Sequence, residues 1–139
     1  MSDTQSDLDQ RVIEEFRLNR GQVGGHFQGA PVLLLHTQGR RSRQERVNPT
    51  MYLDWEGHRF VFASKSGAPT NPDWYHNLIA HPEVTVELGT DTYSATAAPV
   101  LGADRDRIYA EQVCRYPGFG EYQEQTVRVI PVVELTAHD

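Results

Sequence analysis

Six short runs rich in apolar and β-branched residues, each bounded by turn-forming Gly, Pro, Asn or Asp, limit what this 139-residue chain can fold into. They occupy residues 32–36, 46–54, 59–64, 84–88, 92–100 and 127–135, the last interrupted by Pro131. Trp55-Glu56-Gly57-His58 reads as a hairpin turn, and Gly89-Thr90-Asp91 joins the fourth run to the fifth. A polar turn over residues 39–45 joins the first two. Connections this short force neighbouring strands to run antiparallel. Pro49 cannot donate to a ladder, so it marks an edge position or a bulge. The expectation is a mainly β (α+β) protein: a barrel of about six largely antiparallel strands with peripheral helices.

Helical signals fall around and between the strands. Leu8, Val12, Ile13 and Phe16 recur at helical spacing, and this first helix should stop near Gly21. A segment with four glycines, residues 21–31, follows as a linker or loop. Asn71-Pro72 should open a second helix, with Asn71 as N-cap, Pro72 at the first helical position, and Trp74, Tyr75 and Leu78 facing the core. Residues 104–115 form a further amphipathic helix, with Ile108 and Val113 inward. The length suits one domain, read as a helix and glycine-rich linker over residues 1–30 and a barrel domain over residues 31–139.

Charge is distributed unevenly. The chain has 13 basic and 19 acidic residues, for a net charge of −6. Yet residues 39–67 hold six basic residues (Arg40, Arg41, Arg43, Arg46, Arg59 and the only lysine, Lys65) against three acidic ones. That segment carries +3 and the remainder −9. A local cationic cluster on an acidic background suits a small anion, since the surrounding field repels a long polyanion such as nucleic acid. Guanidinium forks match phosphate and carboxylate oxygens. The competing reading is a solvated basic turn. Lys65 weighs against it, because the predicted hairpin carries the Ser64-Lys65-Ser66-Gly67 loop back toward the Arg40–Arg46 turn.

Tyr116, Phe119 and Tyr122 are spaced by threes around Pro117-Gly118. If Pro117 opens a helical turn, Phe119 and Tyr122 share a face and can wall an apolar pocket. Ordinary core packing is the alternative. The six histidines show no metal-binding spacing, and no nucleophile elbow or phosphate-binding glycine loop is present. Cys114 is the only cysteine, which excludes an internal disulfide and fits a reducing, cytoplasmic setting. The first ten residues lack the basic start and apolar run of a signal peptide. The apolar run from Val32 to Leu35 is too short to span a bilayer.

The order of motifs resembles the deazaflavin-dependent nitroreductase family of actinobacteria. The resemblance rests on Leu33-Leu34-Leu35-His36-Thr37-Gln38-Gly39-Arg40-Arg41-Ser42, Arg46-Val47-Asn48-Pro49, Ala63-Ser64-Lys65-Ser66-Gly67 and Asn71-Pro72-Asp73-Trp74-Tyr75-His76-Asn77-Leu78. Tyr116-Pro117-Gly118-Phe119-Gly120-Glu121-Tyr122 and Arg128-Val129-Ile130-Pro131-Val132 extend it, so that it spans residues 31–135. It implies a split β-barrel that binds coenzyme F-420, an 8-hydroxy-5-deazaflavin with a phosphate and a polyglutamate tail. By the same resemblance Arg40, Arg41 and Arg46 bind tail and phosphate. Lys65 stands on the phosphate side with Ser64 near the ring, and Asn48, Gly67, Trp74 and Asn77 complete the cofactor groove. Met51, Tyr116, Phe119 and Tyr122 border the substrate, with Ser64, Tyr116 and Tyr122 as the candidate catalytic groups. Met51 and Phe119 replace tyrosines of the family member known for reducing nitroimidazoles.

The resulting expectation is hydride transfer from the reduced deazaflavin to a quinone, activated enone or nitroaromatic. A non-catalytic deazaflavin carrier and an FMN-binding barrel are the rival readings. The expected partner is a small molecule rather than nucleic acid or an integral membrane, with pairing into a homodimer left open.

Overall fold

The computed structural model of the protein describes residues 5–24 and 29–138. Helix α1 (Gln5–Leu18) precedes strands β1 (Val32–Gln38), β2 (Glu45–Trp55) and β3 (His58–Phe62). A single 3-10 turn (Lys65–Gly67) and helix α2 (Asp73–Ala80) lead to β4 (Glu83–Leu88) and β5 (Asp91–Val100). Helices α3 (Gly102–Arg115) and α4 (Gly118–Glu124) then precede β6 (Val132–Ala137). The six strands close into a barrel in the order β1-β2-β3-β6-β5-β4, and every neighbouring pair is antiparallel. The expected architecture is borne out.

Side-chain alternation explains the unbroken apolar run in β1. Leu33 and Leu35 point into the barrel core with Val61, Val86 and Val133. Val32 and Leu34 face outward, where Ile13 and Phe16 of α1 cover them. Both faces are therefore dry, and burying α1's two apolar anchors contributes roughly 1.5–3 kcal/mol for each. Leu8, the remaining apolar residue predicted on that face, lies outside the described side chains, as do residues 25–28 of the glycine-rich segment.

Strand β2 changes partner along its length. Residues 45–51 pair with β1, and only Tyr52–Trp55 pair with β3. Pro49 pairs with Leu34 of β1 in the first half, where β3 is not alongside, so its missing donor interrupts no ladder on that side. The barrel wall is open there. The β2–β3 turn is closed by Glu56 and Gly57, both left-handed (φ 54° and 81°), the geometry whose twist matches a two-residue hairpin.

Two local expectations are corrected. The N-cap of α2 is Pro72, with extended backbone (ψ 154°), rather than Asn71. Asn71 Oδ1 instead accepts a hydrogen bond from Arg128 Nη1 at 2.8 Å. The last strand begins at Val132 rather than at residue 127. Side chains from α3 and α4 take backbone bonds of Arg128 and Ile130, while Pro131 O still accepts the main-chain N–H of Ala63 (3.0 Å). Gln123 Nε2 donates to Arg128 O (2.7 Å), Ile130 N donates to Gln123 Oε1 (3.1 Å), and Arg105 Nη2 donates to Ile130 O (2.8 Å). Ile130 is buried while Val127 and Val129 project into solvent.

Candidate functional site

A concave groove follows the opening between β2 and β3, and it has a basic half and an aromatic half. The basic half, about 660 Å³, is lined by Arg40, Arg41 and Ser42 from the β1–β2 turn, by Arg46 and Asn48 of β2, and by Asn77 of α2. Gly39 N donates to Gln44 O (2.8 Å) and Arg43 N donates back to Gly39 O (2.9 Å), which tightens the turn. A Cβ on Gly39 would sit 2.5 Å from Ser42 Oγ and 3.3 Å from Gln44 O, so a larger residue would push the Ser42 side chain aside. Arg43 takes the left-handed conformation (φ 59°) and does not line the groove.

Asn77 is buried at the base of this half. Its Nδ2 donates to Thr37 Oγ1 at 3.2 Å, and its Oδ1 accepts the main-chain N–H of Arg40 at 3.1 Å. The carboxamide therefore ties α2 to the arginine turn.

The aromatic half, about 530 Å³, is walled by Met51, Phe62, Trp74, Phe119 and Tyr122, with Ser64, Lys65 and Ser66 along one side. The Phe119 ring packs against Tyr122 (centroids 5.2 Å apart) and Phe62 (5.7 Å), both edge to face. Tyr109 OH donates to Phe119 O at 2.6 Å and fixes α4 against α3. Burial pushes the Tyr109 phenol up to about 12, so it remains a donor at neutral pH.

The turn that carries Ser64 and Lys65 is unusual. Lys65 (φ 46°), Ser66 (φ 53°) and Gly67 (φ 80°) are all left-handed, which costs the two non-glycine residues on the order of 1 kcal/mol each. Gly67 is buried under α4, where a Cβ would lie 2.6 Å from Gln125 Oε1 and 3.0 Å from Tyr122 O.

Asp9, Asn48 and Asp73 border both halves, so the two form one continuous groove. Among the described residues, no ion pair engages Arg40, Arg41, Arg46 or Lys65; Lys65 Nζ donates only to Thr70 Oγ1 (3.4 Å). By contrast Arg17, Arg59, Arg105, Arg107 and Arg115 each hold a carboxylate. The four cations lining the groove thus hold no carboxylate, and outside it Arg43 and Arg128 likewise hold none among the described residues.

Of the sequence-predicted site residues, Arg40, Arg41, Arg46, Asn48 and Asn77 meet in the basic half. Asn48, Met51, Ser64, Lys65, Trp74, Phe119 and Tyr122 meet in the aromatic half. Gly67 and Tyr116 do not line it. Gly67 shapes the turn from below, and Tyr116 packs half-buried against the cluster of Leu53 and Phe60. Sequence reasoning missed two contributors. Asp9, Gln10 and Ile13 bring α1 against the basic half, with Asn48 Nδ2 donating to Asp9 Oδ2 at 3.4 Å. Arg128 lies under the Ser64 turn, and its place in the closing Arg-Val-Ile-Pro motif was the only available signal.

Residues 10–137 match the family model described as F420H(2)-dependent quinone reductase. A quinone reductase of that description from Mycobacterium tuberculosis is 38% identical over 125 residues, covering 87% of this chain and 84% of the relative. A solved reductase dependent on reduced F-420 superposes with TM-score 0.69 at 35% identity, covering 81% of this chain and 99% of its own. A chain solved as a domain-swapped dimer gives TM-score 0.70 at 33% identity, covering 95% of this chain and 99% of its own. The chain belongs to the F420H(2)-dependent quinone reductase family. It is accordingly an oxidoreductase dependent on reduced coenzyme F-420, and that deazaflavin is its cofactor.

Proposed function

We propose that the groove binds coenzyme F-420 with its phosphate and glutamate carboxylates against Arg40, Arg41 and Arg46, and its ring in the aromatic half. The acceptor seated beside that ring belongs to the quinone class. One observation carries the reading: uncommitted cations and an aromatic cleft share one groove through Asn48. An elongated molecule with an acidic tail and a flat head fits that arrangement, whereas FMN lacks the tail the basic half is built for.

When bound in its reduced form, the cofactor supplies a hydride from C5 of the deazaflavin. The protein's part is binding, orientation and proton supply. Lys65 meets the phosphate, and Ser64 Oγ presents a hydrogen bond to the ring or acceptor. Asn48 and Trp74 flank the ring, and Asn77 acts by holding Arg40. Met51 and Phe119 offer no hydroxyl, so they favour a flat, weakly polar acceptor and exclude water from it. Tyr122 is the phenol that lines the cleft, which favours it over Tyr116 as the proton donor to the acceptor oxygen.

The decisive experiment mixes reduced coenzyme F-420 with menadione, an activated enone and a nitroaromatic, with and without the protein. Protein-dependent oxidation fastest with the quinone is expected. Tight cofactor binding with no acceleration by any acceptor would instead identify a carrier. A homodimer is part of the same proposal, supported by the domain-swapped relative and tested by light scattering. Cytoplasmic residence is also proposed. The single Cys114 supports it, and no described helix is long and apolar enough to cross a membrane.

A further inference from the structure

Arg128 makes four hydrogen bonds with one guanidinium. Nε donates to Ala68 O (2.9 Å), Nη2 to Ser64 O (2.8 Å), and Nη1 to both Ala63 O (3.1 Å) and Asn71 Oδ1 (2.8 Å). Its partners therefore bracket the left-handed turn on both sides, at Ala63–Ser64 before it and at Ala68 after it. The fourth partner, Asn71, immediately precedes the Pro72 cap of α2. The planar fork is what allows one side chain to hold three carbonyls at fixed spacing, and lysine cannot reproduce it.

Charge sets Arg128 apart as well. All four oxygens are neutral, and burial lowers its pKa below the ordinary arginine value. The carboxylates beside Arg17 and Arg59 raise theirs instead. Arg128 is half-buried, and a partly desolvated cation without a counter-ion gains little stability from its charge. Strained backbone persists only where its surroundings over-determine it, and such turns cluster at functional sites. Gly67 under α4 fixes the turn from one side, and Arg128 fixes it from the other.

We propose that Arg128 is a positioning residue for hydride transfer: its guanidinium holds the 64–67 turn in its left-handed shape, and so sets where Ser64 and Lys65 stand in the aromatic half of the groove. This inference rests on the proposed seating of the ring in that half.

The test uses Arg128→Lys and Arg128→Gln in the full chain, with Arg107→Gln on the outer side of α3 as control. Hydrogen exchange of the unliganded protein reads the turn directly, through the Gly67 and Ala68 amides that bond to Ser64 O and Lys65 O. Both variants should exchange there about tenfold faster or more, with the amides of β1 and β4 unchanged. With cofactor and menadione, kcat should fall about 10- to 100-fold while affinity for the cofactor, held by the arginine turn, changes less. The absorption shift of the bound cofactor should shrink in parallel, and guanidinium ion should restore part of kcat in Arg128→Gln but none in the control. Unchanged exchange at Gly67 and Ala68, or kcat within twofold of wild type in a folded variant, overturns the inference. If Arg128→Gln does not fold, Asn71→Ala removes one of the four bonds and should show the same effects at smaller size; its silence would likewise refute the role. A wild-type protein that does not bind the cofactor defeats the seating proposal, while the exchange result still decides whether Arg128 holds the turn.

Discussion

Asn77 reaches across from α2 to accept the main-chain N–H of Arg40 at 3.1 Å, so a buried amide sets the direction of an exposed arginine turn. Its other hydrogen bond, to Thr37, is also buried. Asn77→Ala should therefore leave a donor and a hydroxyl without their partner. The expected cost is about 1–3 kcal/mol of stability, read from the midpoint of urea unfolding. Cofactor affinity should fall as well, because Arg40 is no longer held. Asn77→Asp keeps the acceptor for Arg40 but brings a negative charge into the basic half, so it should not restore affinity for an acidic tail, and an affinity that ignores both changes would remove Asn77 from the site.

The arginine turn itself is tested by the double variant Arg40→Ala, Arg41→Ala. Charge-assisted bonds to phosphate and carboxylate are among the stronger polar contacts, so affinity for coenzyme F-420 should drop about tenfold or more at low salt. The difference should narrow as ionic strength rises. FMN, which shares the phosphate but has no glutamate tail, should lose much less affinity than coenzyme F-420. Fluorescence titration at two salt concentrations makes the comparison. Equal losses for both flavins would mean the turn does not read the tail.

Much of this was legible from local chemistry. Glu56-Gly57 could be read as a hairpin turn because a two-residue connection needs left-handed backbone, and the structure has φ of 54° and 81° there. The basic turn and Lys65 could be paired because a short hairpin separates them. What failed was decided by tertiary partners. Asn71 has the side chain of a helix cap, yet Arg128 claims its oxygen from 57 residues away. Residues 127–131 have the composition of a strand, yet Gln123 and Arg105 take backbone bonds of Arg128 and Ile130. The family resemblance offered Tyr116 and Tyr122 alike as proton donors. The turn into α4 leaves the first against the core beside Leu53 and brings the second to the groove. The contribution of α1 was invisible for the same reason, since amphipathic spacing shows that a helix packs but not what it packs against.

An acid-sensitive contact holds that helix in place. Arg17 Nη2 on α1 pairs with Glu87 Oε2 of β4 at 2.7 Å, and His36 Nε2 lies 2.5 Å from the same oxygen. Together, the hydrogen bond from Arg17 first and that from His36 after it, they hold the Glu87 carboxyl below the usual carboxylate range. A carboxylate whose folded pKa is depressed contributes stability above its unfolded pKa, and that contribution disappears as pH falls through the folded value. Docking of α1 should thus weaken in acid, below the ordinary glutamate pKa of about 4.5. Amide exchange in the second half of α1, taken relative to the intrinsic rate at each pH, should rise there in wild type. In Glu87→Gln it should already be raised at neutral pH and should lose much of its pH dependence. A flat profile in wild type would show that the apolar contacts of Ile13 and Phe16 hold the helix alone.

Tyr116 and Tyr122 separate the two candidate proton donors in a single experiment. Only Tyr122 reaches the aromatic half, where it stacks edge to face on Phe119. General-acid catalysis by a positioned side chain is typically worth about 10²–10⁴-fold, less where water can substitute. Tyr122→Phe keeps the ring and its packing while removing the hydroxyl, so it should lower kcat with menadione about 10-fold or more at little change in cofactor affinity. Tyr116→Phe should stay within about twofold. A solvent deuterium isotope effect on kcat should be present in wild type and altered in Tyr122→Phe, since the proton then comes from water. If Tyr122→Phe turns over at the wild-type rate with the same isotope effect, water delivers the proton in the native protein too, and Tyr122 serves only as a wall of the cleft.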